Sequence, residues 1–311
     1  MADKPDLSIV IVSWNTSAEL EACLRSIVEE DSIRLETIVI DNASFDDSAE
    51  MVKREFPGVR LIENNANLGF ARGANQGIDA SQGRYVLLLN PDSEVKPGAL
   101  PAIVRFGDVN PKVGIFGPKI LNSDGWLQYS CRGFPTVVAG FFRNTILTKY
   151  FPRNSYIYDY LMLGWDHGEP RDVDWVSGAA LVARRELLDD IGLLDERFYM
   201  YCEDVDLAYR AHKKDWRVTY FPLATVIHAC GKSSSQNPNR MIIEHHKSIF
   251  RYFRKHHGGR PTTWLLVPAG LVIRASFYLA RNYRNRLRSR LRRLLRKDEP
   301  RVQGQCDGRG S

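Results

Sequence analysis

Four strand-like runs joined by three stretches of helical periodicity fill the first ninety residues, and this alternation is what most restricts the fold. Leu7 to Trp14 (LSIVIVSW), Leu35 to Ile40 (LETIVI) and Tyr85 to Leu89 (YVLLL) are apolar nearly throughout, as strands covered on both faces must be, and Val59 to Glu63 is a shorter fourth run. Between them, Thr16-Ser17 caps a helix carrying Leu20, Leu24 and Ile27. Ser44 with Asp47 reads as a capping box opening a helix toward Phe56, and Gly69 to Ala80 is a glycine-punctuated helix. Strands joined through helices pair in parallel by right-handed crossovers, so the pattern predicts an α/β, Rossmann-like, mostly parallel sheet with helices on both faces.

Sheets of this kind bind ligands beyond the carboxyl ends of their strands. Asn15, Asp41 and Asn90-Pro91-Asp92 all lie at such ends, so three polar clusters are expected to converge on one crevice. Each has a plainer reading. Asn90-Pro91-Asp92-Ser93 is sound turn chemistry, and Asp41 can serve as a cap. No GxGxxG follows the first strand and no GxxxxGK[ST] occurs, which excludes a dinucleotide fingerprint and a P-loop.

Farther on come an aromatic-rich insertion (Pro135 to Trp165), a strand-like run from Trp175 to Ala183, and a helix from Glu186 to Ile191. Glu203-Asp204-Val205-Asp206 then heads a helix with Leu207, Ala208 and Ala211 facing inward. The helix dipole explains one or two acids in a first turn, and three less well. Strand-like Arg217 to Phe221, the run Thr225-Val226-Ile227 ending at His228, and a helix from Asn239 to His257 follow. His245-His246 and His256-His257 match no zinc spacing and read as core or solvated residues. The five cysteines are scattered, odd in number and never in a CxxC pair, which fits a reducing compartment better than a disulfide framework. The N-terminal MADKPDLSIVIVSWN lacks the features of a secretory signal, so a cytoplasmic protein is expected.

Net charge is +6, yet residues 281–297 alone hold nine Lys or Arg and no acid, leaving −3 for everything else. The preceding Trp264 to Ala280 is apolar but short for a bilayer span, and it contains Pro268 and Arg274. Together the two stretches, residues 264–297, read as an interfacial segment for an anionic membrane surface. No base-reading module accompanies the arginines, so nucleic acid is not expected.

Seven segments, in order, resemble the family 2 glycosyltransferases of GT-A fold, and within them the bacterial rhamnosyltransferase-like branch. They are IVIVSWN (9–15), VIDNAS (39–44), NLGFARGANQG (67–77), LLLNPDSEV (87–95), VSGAALVARRE (176–186), GLLDERFYMYCEDVDLAYR (192–210) and Ile227-His228. The resemblance spans residues 7 to 257. It implies inverting transfer of a sugar, with dTDP-rhamnose as first choice, from a nucleotide-sugar donor to a hydroxyl of a polyprenyl-linked or cell-surface glycan. It also implies Mn²⁺ or Mg²⁺ at a DxD motif, which here is Asn90-Pro91-Asp92 with an amide in place of the first carboxylate. Asp92 is then the metal ligand, Asn90 faces the donor sugar or ribose, and Glu94 lies behind them. His228 is a second ligand, or a structural histidine. Of the ED pair, Asp204 is implied as catalytic base, with Glu203 binding the acceptor or orienting the base.

On the donor side the resemblance points to Asn15, Asp41, Asn67, Gly69, Arg72 and Asn75, with Lys232 reaching the diphosphate from a Gly231–Ser235 flap; the glycines serve equally for tight helix packing. Trp175, Gly178, Asp206 and the aromatic insertion are acceptor-side candidates, or plain core. The expected division is a catalytic domain over 1–258, with a donor half to about 95 and an acceptor half beyond it. An amphipathic basic helical extension follows over 259–300, then a disordered tail over 301–311. Two other readings stay open: a sugar nucleotidyltransferase, for which SWNTSAE (13–19) lacks the basic glycine-rich loop, and a non-catalytic membrane-bound sugar-nucleotide sensor.

Overall fold

The computed structural model describes residues 4–28, 30–136, 155–229 and 236–297. Lys232 and its flap, Phe141, Phe142, Tyr150 and Phe151 of the aromatic insertion, and the 301–311 tail lie outside the described residues.

Strands β1 (Leu7–Ser13), β2 (Leu35–Asp41), β3 (Arg60–Glu63) and β4 (Tyr85–Leu89) pair in parallel in the order β3-β2-β1-β4. The sheet continues through β11 (Ala180–Arg184), β6 (Val113–Leu121) and β12 (Arg217–His228) to β5 (Ser93–Val95). β11 runs antiparallel between β4 and β6, while β6 and β12 are again parallel. Short β7 (Leu127–Gln128) and β9 (Arg171–Asp172) pair with β6 and β12, and β8 (Cys131–Arg132) pairs with β10 (Trp175–Val176) in a separate ribbon.

Alternate side chains along each strand point to opposite faces, and both faces are covered. Leu7, Ile9 and Ile11 pack with Leu20, Leu24 and Ile27 of α1 (Ser17–Val28), Met51 and Val52 of α2 (Ser48–Glu55), and Leu100 and Ile103 of α4 (Ala99–Val109). On the other face Val10, Val86 and Leu88 meet four helices: α3 (Phe70–Ala80), α6 (Arg185–Ile191), α7 (Glu203–His212) and α8 (Pro238–His257). α5 (Ser155–Leu161) lies at the edge of this core, with half-buried Tyr160 packed against it. Gly77 is required for the fit of α3, since a Cβ there would come within 2.3 Å of Val10 Cγ1.

Three local expectations are corrected. The second helix starts at Ser48, and Asp46 rather than Ser44 turns the chain into it, accepting from the Ser48 amide (3.1 Å) and hydroxyl (2.5 Å). The Trp175 to Ala183 run is two strands broken at Ser177–Ala179, and Arg217 to His228 is one strand with a bulge between Phe221 and Thr225. The C-terminal extension is helical, as the sequence predicts: its apolar and arginine stretches form one helix, α9 (Pro261–Lys297), which folds back along α8. Val267 and Leu271 join the core, and the Asn282 side-chain amide donates to Asn239 Oδ1 at 3.1 Å. By length and composition, Thr263–Asn285 is long and apolar enough to cross a membrane.

Candidate active site

The crevice forms where β1, β2 and β4 end. Asn15 closes β1 in a left-handed conformation (φ 53°), accepts from the Phe45 amide at 2.9 Å through Oδ1, and bonds Gln236 with its side-chain amide at 3.2 Å. Asp41 closes β2 and is only 4% exposed. Its Oδ2 accepts from the Ser44 amide at 2.9 Å, whereas Oδ1 is buried without a partner. Leaving a buried carboxylate oxygen unbonded is costly, and at a strand end it marks a place for a donor from a ligand. Asn42 donates to the Gly69 carbonyl (3.1 Å), so the turn after β2 is tied to the start of α3. A cleft here is lined by Trp14, Asn42, Asn67, Gly69, Tyr199 and Arg240, among others.

The segment before α3 is in turn clamped to the loop before α7. Asn67 Oδ1 accepts from the Gly69 amide (3.0 Å) and from the Tyr199 hydroxyl (2.8 Å), and the Phe70 amide donates to the Tyr199 carbonyl (2.7 Å). That loop ends with Tyr201 (φ 70°) and Cys202 (φ 67°), two successive non-glycine residues in left-handed conformation. Such strain costs on the order of 1–3 kcal/mol per residue and persists where surrounding contacts over-determine it, as at active sites.

At the end of β4, the tail of NPDSEV is not a free turn. Ser93 to Val95 pairs antiparallel with Val226 to His228, and the Ala229 amide donates to the Asp92 carbonyl at 2.9 Å. This pairing brings His228 to the motif: its Nε2 lies 3.2 Å from Asp92 Oδ1 and 3.1 Å from Asn90 Nδ2. Its Nδ1 lies 2.8 Å from Gln128 Oε1. Glu94 points away and is exposed, as strand alternation requires. A carboxylate oxygen and an imidazole nitrogen converging behind a hydrogen-bonded second ring nitrogen suit a divalent cation that accepts both oxygen and nitrogen. Among the described residues no third His, Cys, Asp or Glu completes the set. The diphosphate of a ligand fits that deficit.

Asp204 stands at the head of α7. Its Oδ2 accepts from the Gly178 amide at 3.0 Å and its Oδ1 from the Val205 amide at 2.8 Å. Burial raises its carboxyl above the ordinary aspartate range, against the pull of those amides and of Arg132. Glu203 is 6% exposed with Oε2 unpartnered, and burial, reinforced by the neighbouring Asp204 charge, pushes it well above the usual range. The two corners are joined: Ala179, next to Gly178, accepts from the Asn90 amide at 3.0 Å.

A raised carboxyl favours the folded state below its unfolded pKa, and that contribution is lost as pH rises through the folded value. Glu203→Gln is therefore expected to raise Tm at pH 8, with the gain vanishing near pH 4. Thermal melts across that range check this.

Four sequence candidates lie elsewhere. Asp206 is 0% exposed and its oxygens are taken by Lys255 (2.6 Å), His256 (2.7 Å) and Arg210 (2.9 Å), so it fastens α7 to α8 instead of facing an acceptor. Trp175 is 7% exposed, bonded to the Gly133 carbonyl and covered by Arg132, which makes it a wall of the fold. Asn75 clamps the backbone of Leu194 from both sides (2.9 and 3.0 Å). Arg72 is exposed and faces Glu196 at 3.8 Å. Conversely, Tyr199, Gln128 and Arg132 escaped sequence reasoning, because only long-range pairing brings them to the crevice.

Comparison with known proteins bears on the family and the fold. The profile of Glycosyl transferase family 2 matches residues 8–164. The chain is 31% identical over 309 residues to an N-acetylglucosaminyl-diphospho-decaprenol L-rhamnosyltransferase of Mycobacterium tuberculosis, covering 96% of this chain and 98% of that protein. It is 28% identical to the rhamnosyltransferase WbbL of Escherichia coli, over 55% of this chain and 62% of that one. In fold it is similar to a Pyrobaculum calidifontis mannosyltransferase in complex with GDP-Man and Mn²⁺, with TM-score 0.57, 19% identity, and coverage of 90% of this chain and 75% of the other. With its GT-A fold and near full-length similarity to a rhamnosyltransferase, the chain belongs to glycosyl transferase family 2 and is a glycosyltransferase.

Proposed function

We propose that the enzyme transfers rhamnose, with inversion, from dTDP-rhamnose to a hydroxyl of a polyprenyl-linked glycan. The similarity along nearly the whole chain to the decaprenol-linked rhamnosyltransferase supports donor and acceptor class. The observation that carries the chemistry is Asp204, held by the Gly178 amide on the strand break that also bonds Asn90. The donor half, to about residue 95, supplies the nucleotide contacts. There Asp41 Oδ1 accepts from the base, and Asn15, Asn67, Gly69 and Asn90 line the ribose and sugar. Asp92 and His228 would hold Mn²⁺ or Mg²⁺, whose charge neutralises the leaving diphosphate.

In this reading Asp204 takes the proton of the acceptor hydroxyl while that oxygen bonds to the anomeric carbon. The bond from that carbon to the phosphate oxygen breaks on the opposite face, its electron pair leaving with dTDP. A carboxylate made more basic by burial is better matched to this task near neutral pH. Burial raises both carboxyls of the Glu203–Asp204 pair, and the Asp204 charge adds to the rise at Glu203, so the two acids resist ionising together. The test is a transfer assay with dTDP-rhamnose, UDP-sugars and GDP-mannose on a lipid-diphosphate N-acetylglucosamine acceptor. Turnover confined to dTDP-rhamnose is expected; turnover with another donor alone would overturn the donor assignment.

Residues 264–297 dock the enzyme on the inner face of the cell membrane. Leu265, Leu266, Val272, Ile273 and Phe277 are exposed on α9, and its arginines follow directly. The Asn282–Asn239 bond sets the junction of the two stretches beside the start of α8, where Gln236 bonds Asn15 and Arg240 lines the cleft. A lipid-borne acceptor would thus arrive next to the crevice. Replacing the nine cations of 281–297 with glutamine is expected to release the protein from vesicles containing anionic phosphatidylglycerol in flotation assays, at about 1 kcal/mol per lost charge near the surface. Undiminished binding would contradict the docking role.

A further inference from the structure

We propose that Gln128, braced by Asn122, is a positioning residue that fixes the tautomer of His228 so that its Nε2 lone pair faces the cation. The inference rests on the reading of Asp92 and His228 as the ligand pair.

β7 pairs antiparallel with β6, placing Gln128 opposite Ile120, and β6 pairs in parallel with β12, placing Ile120 opposite Val226. Gln128 therefore stands on the far side of β6 from the end of β12, where His228 emerges. The hairpin that delivers it is closed by the Asn122 amide on the Trp126 carbonyl (2.8 Å), with Gly125 at φ 86°. Gln128 Nε2 donates to Asn122 Oδ1 at 2.8 Å. That bond turns the carbonyl Oε1 toward His228 Nδ1 at 2.8 Å. A carbonyl only accepts, so Nδ1 carries the ring proton and Nε2 is the bare nitrogen in the neutral ring. Nε2 is also the nitrogen 3.2 Å from Asp92 Oδ1. Without a cation the Nε2 lone pair accepts from the Asn90 side-chain amide at 3.1 Å, and a cation between Nε2 and Asp92 would take that lone pair over. The bond on the far nitrogen also holds the ring in plane, and loss of such a partner typically weakens metal binding about 10–100-fold.

Two substitutions separate this role from packing. Gln128→Met keeps the shape and loses the acceptor; Gln128→Glu keeps an acceptor and has no donor, so it can only receive the Nδ1 proton. Mn²⁺ affinity is measured by titration with electron paramagnetic resonance in the presence of dTDP, with Tm of the metal-free proteins as a control on folding. We expect roughly 10–100-fold weaker Mn²⁺ binding for Gln128→Met, near wild-type binding for Gln128→Glu, and equal metal-free Tm values. Wild-type affinity in Gln128→Met while His228→Ala binds weakly would overturn the positioning role alone. Weak binding in Gln128→Glu would show that Gln128 donates to Nδ1, which reverses the tautomer and also overturns it. Wild-type affinity in His228→Ala, or no Mn²⁺ uptake by the wild type, would remove the ligand assignment and the inference with it.

Discussion

Asp204→Asn is expected to lower kcat by about 10²–10⁴-fold, the usual contribution of a positioned general base, while leaving donor affinity unchanged. The substitution is nearly isosteric. The asparagine carbonyl can still accept from the Gly178 or Val205 amide that now bonds Asp204, so the head of α7 retains its anchor. What is lost is the ability to take a proton as the acceptor oxygen attacks. In the wild type the rate should fall as pH drops through the Asp204 pKa, at a higher pH than an exposed aspartate would give, because burial raises it. The acid limb should disappear in Asp204→Asn. Steady-state kinetics and nucleotide binding, measured on the same preparation, check both halves. A catalytically silent sugar-nucleotide binder would show no turnover to lose.

Gly69→Ala is expected to destabilise the fold by about 2–4 kcal/mol and to abolish activity. Gly69 has φ 87° and ψ 174°, a region essentially restricted to glycine. A Cβ there would also come within 2.4 Å of the Tyr199 carbonyl oxygen, which accepts from the Phe70 amide. Backbone cannot rotate away as a side-chain tip can, so the clash must separate α3 from the loop before α7. That separation parts the donor-side Asn67 from the strained Tyr201–Cys202 turn holding Glu203 and Asp204. Gly73→Ala is the milder comparison, because the nearest atoms to its Cβ would be side-chain atoms of Val12 and Asn42, at 3.0 and 3.4 Å, and not backbone. Chemical denaturation of both variants gives the ranking.

The parallel half of the sheet was legible in the sequence because its signals are local. Buried parallel strands are short apolar runs, and α1 and α8 follow their periodicity to within a residue or two of the observed bounds. The antiparallel insertion of β11 was not legible, since no residue in Ala180–Arg184 records which neighbour it pairs with. The same holds at the crevice. Asn90 and His228 lie 138 residues apart, and the β5–β12 pairing that joins them appears in no local pattern. Gln128 sits in a two-residue strand and carries no chemistry that attracts notice in isolation.

The acidic cluster was half legible, and the geometry of a helix explains why. Residues two apart on α7 are turned about 200° from each other, so Asp204 and Asp206 face opposite sides. Arg210, four residues beyond Asp206, was the available clue that Asp206 faces a structural partner. Asp41 ties the turn after β2, not a helix start: its Oδ2 accepts from the Ser44 amide, while Oδ1 is buried without a partner.

In the proposed mechanism Asp92 and His228 hold a cation that recruits the donor diphosphate to this crevice. The most direct test of this is a thermal-shift panel of UDP, dTDP, GDP and CMP, each with and without Mn²⁺, on the wild type and Asp92→Ala. A ligand that binds only the native state at 100 times its Kd adds about 2.7 kcal/mol, a readily measured rise in Tm that needs no acceptor. A rise is expected with dTDP that requires Mn²⁺ and is absent in Asp92→Ala. An equal rise in Asp92→Ala, or no rise with any of the four, would contradict the proposed mechanism.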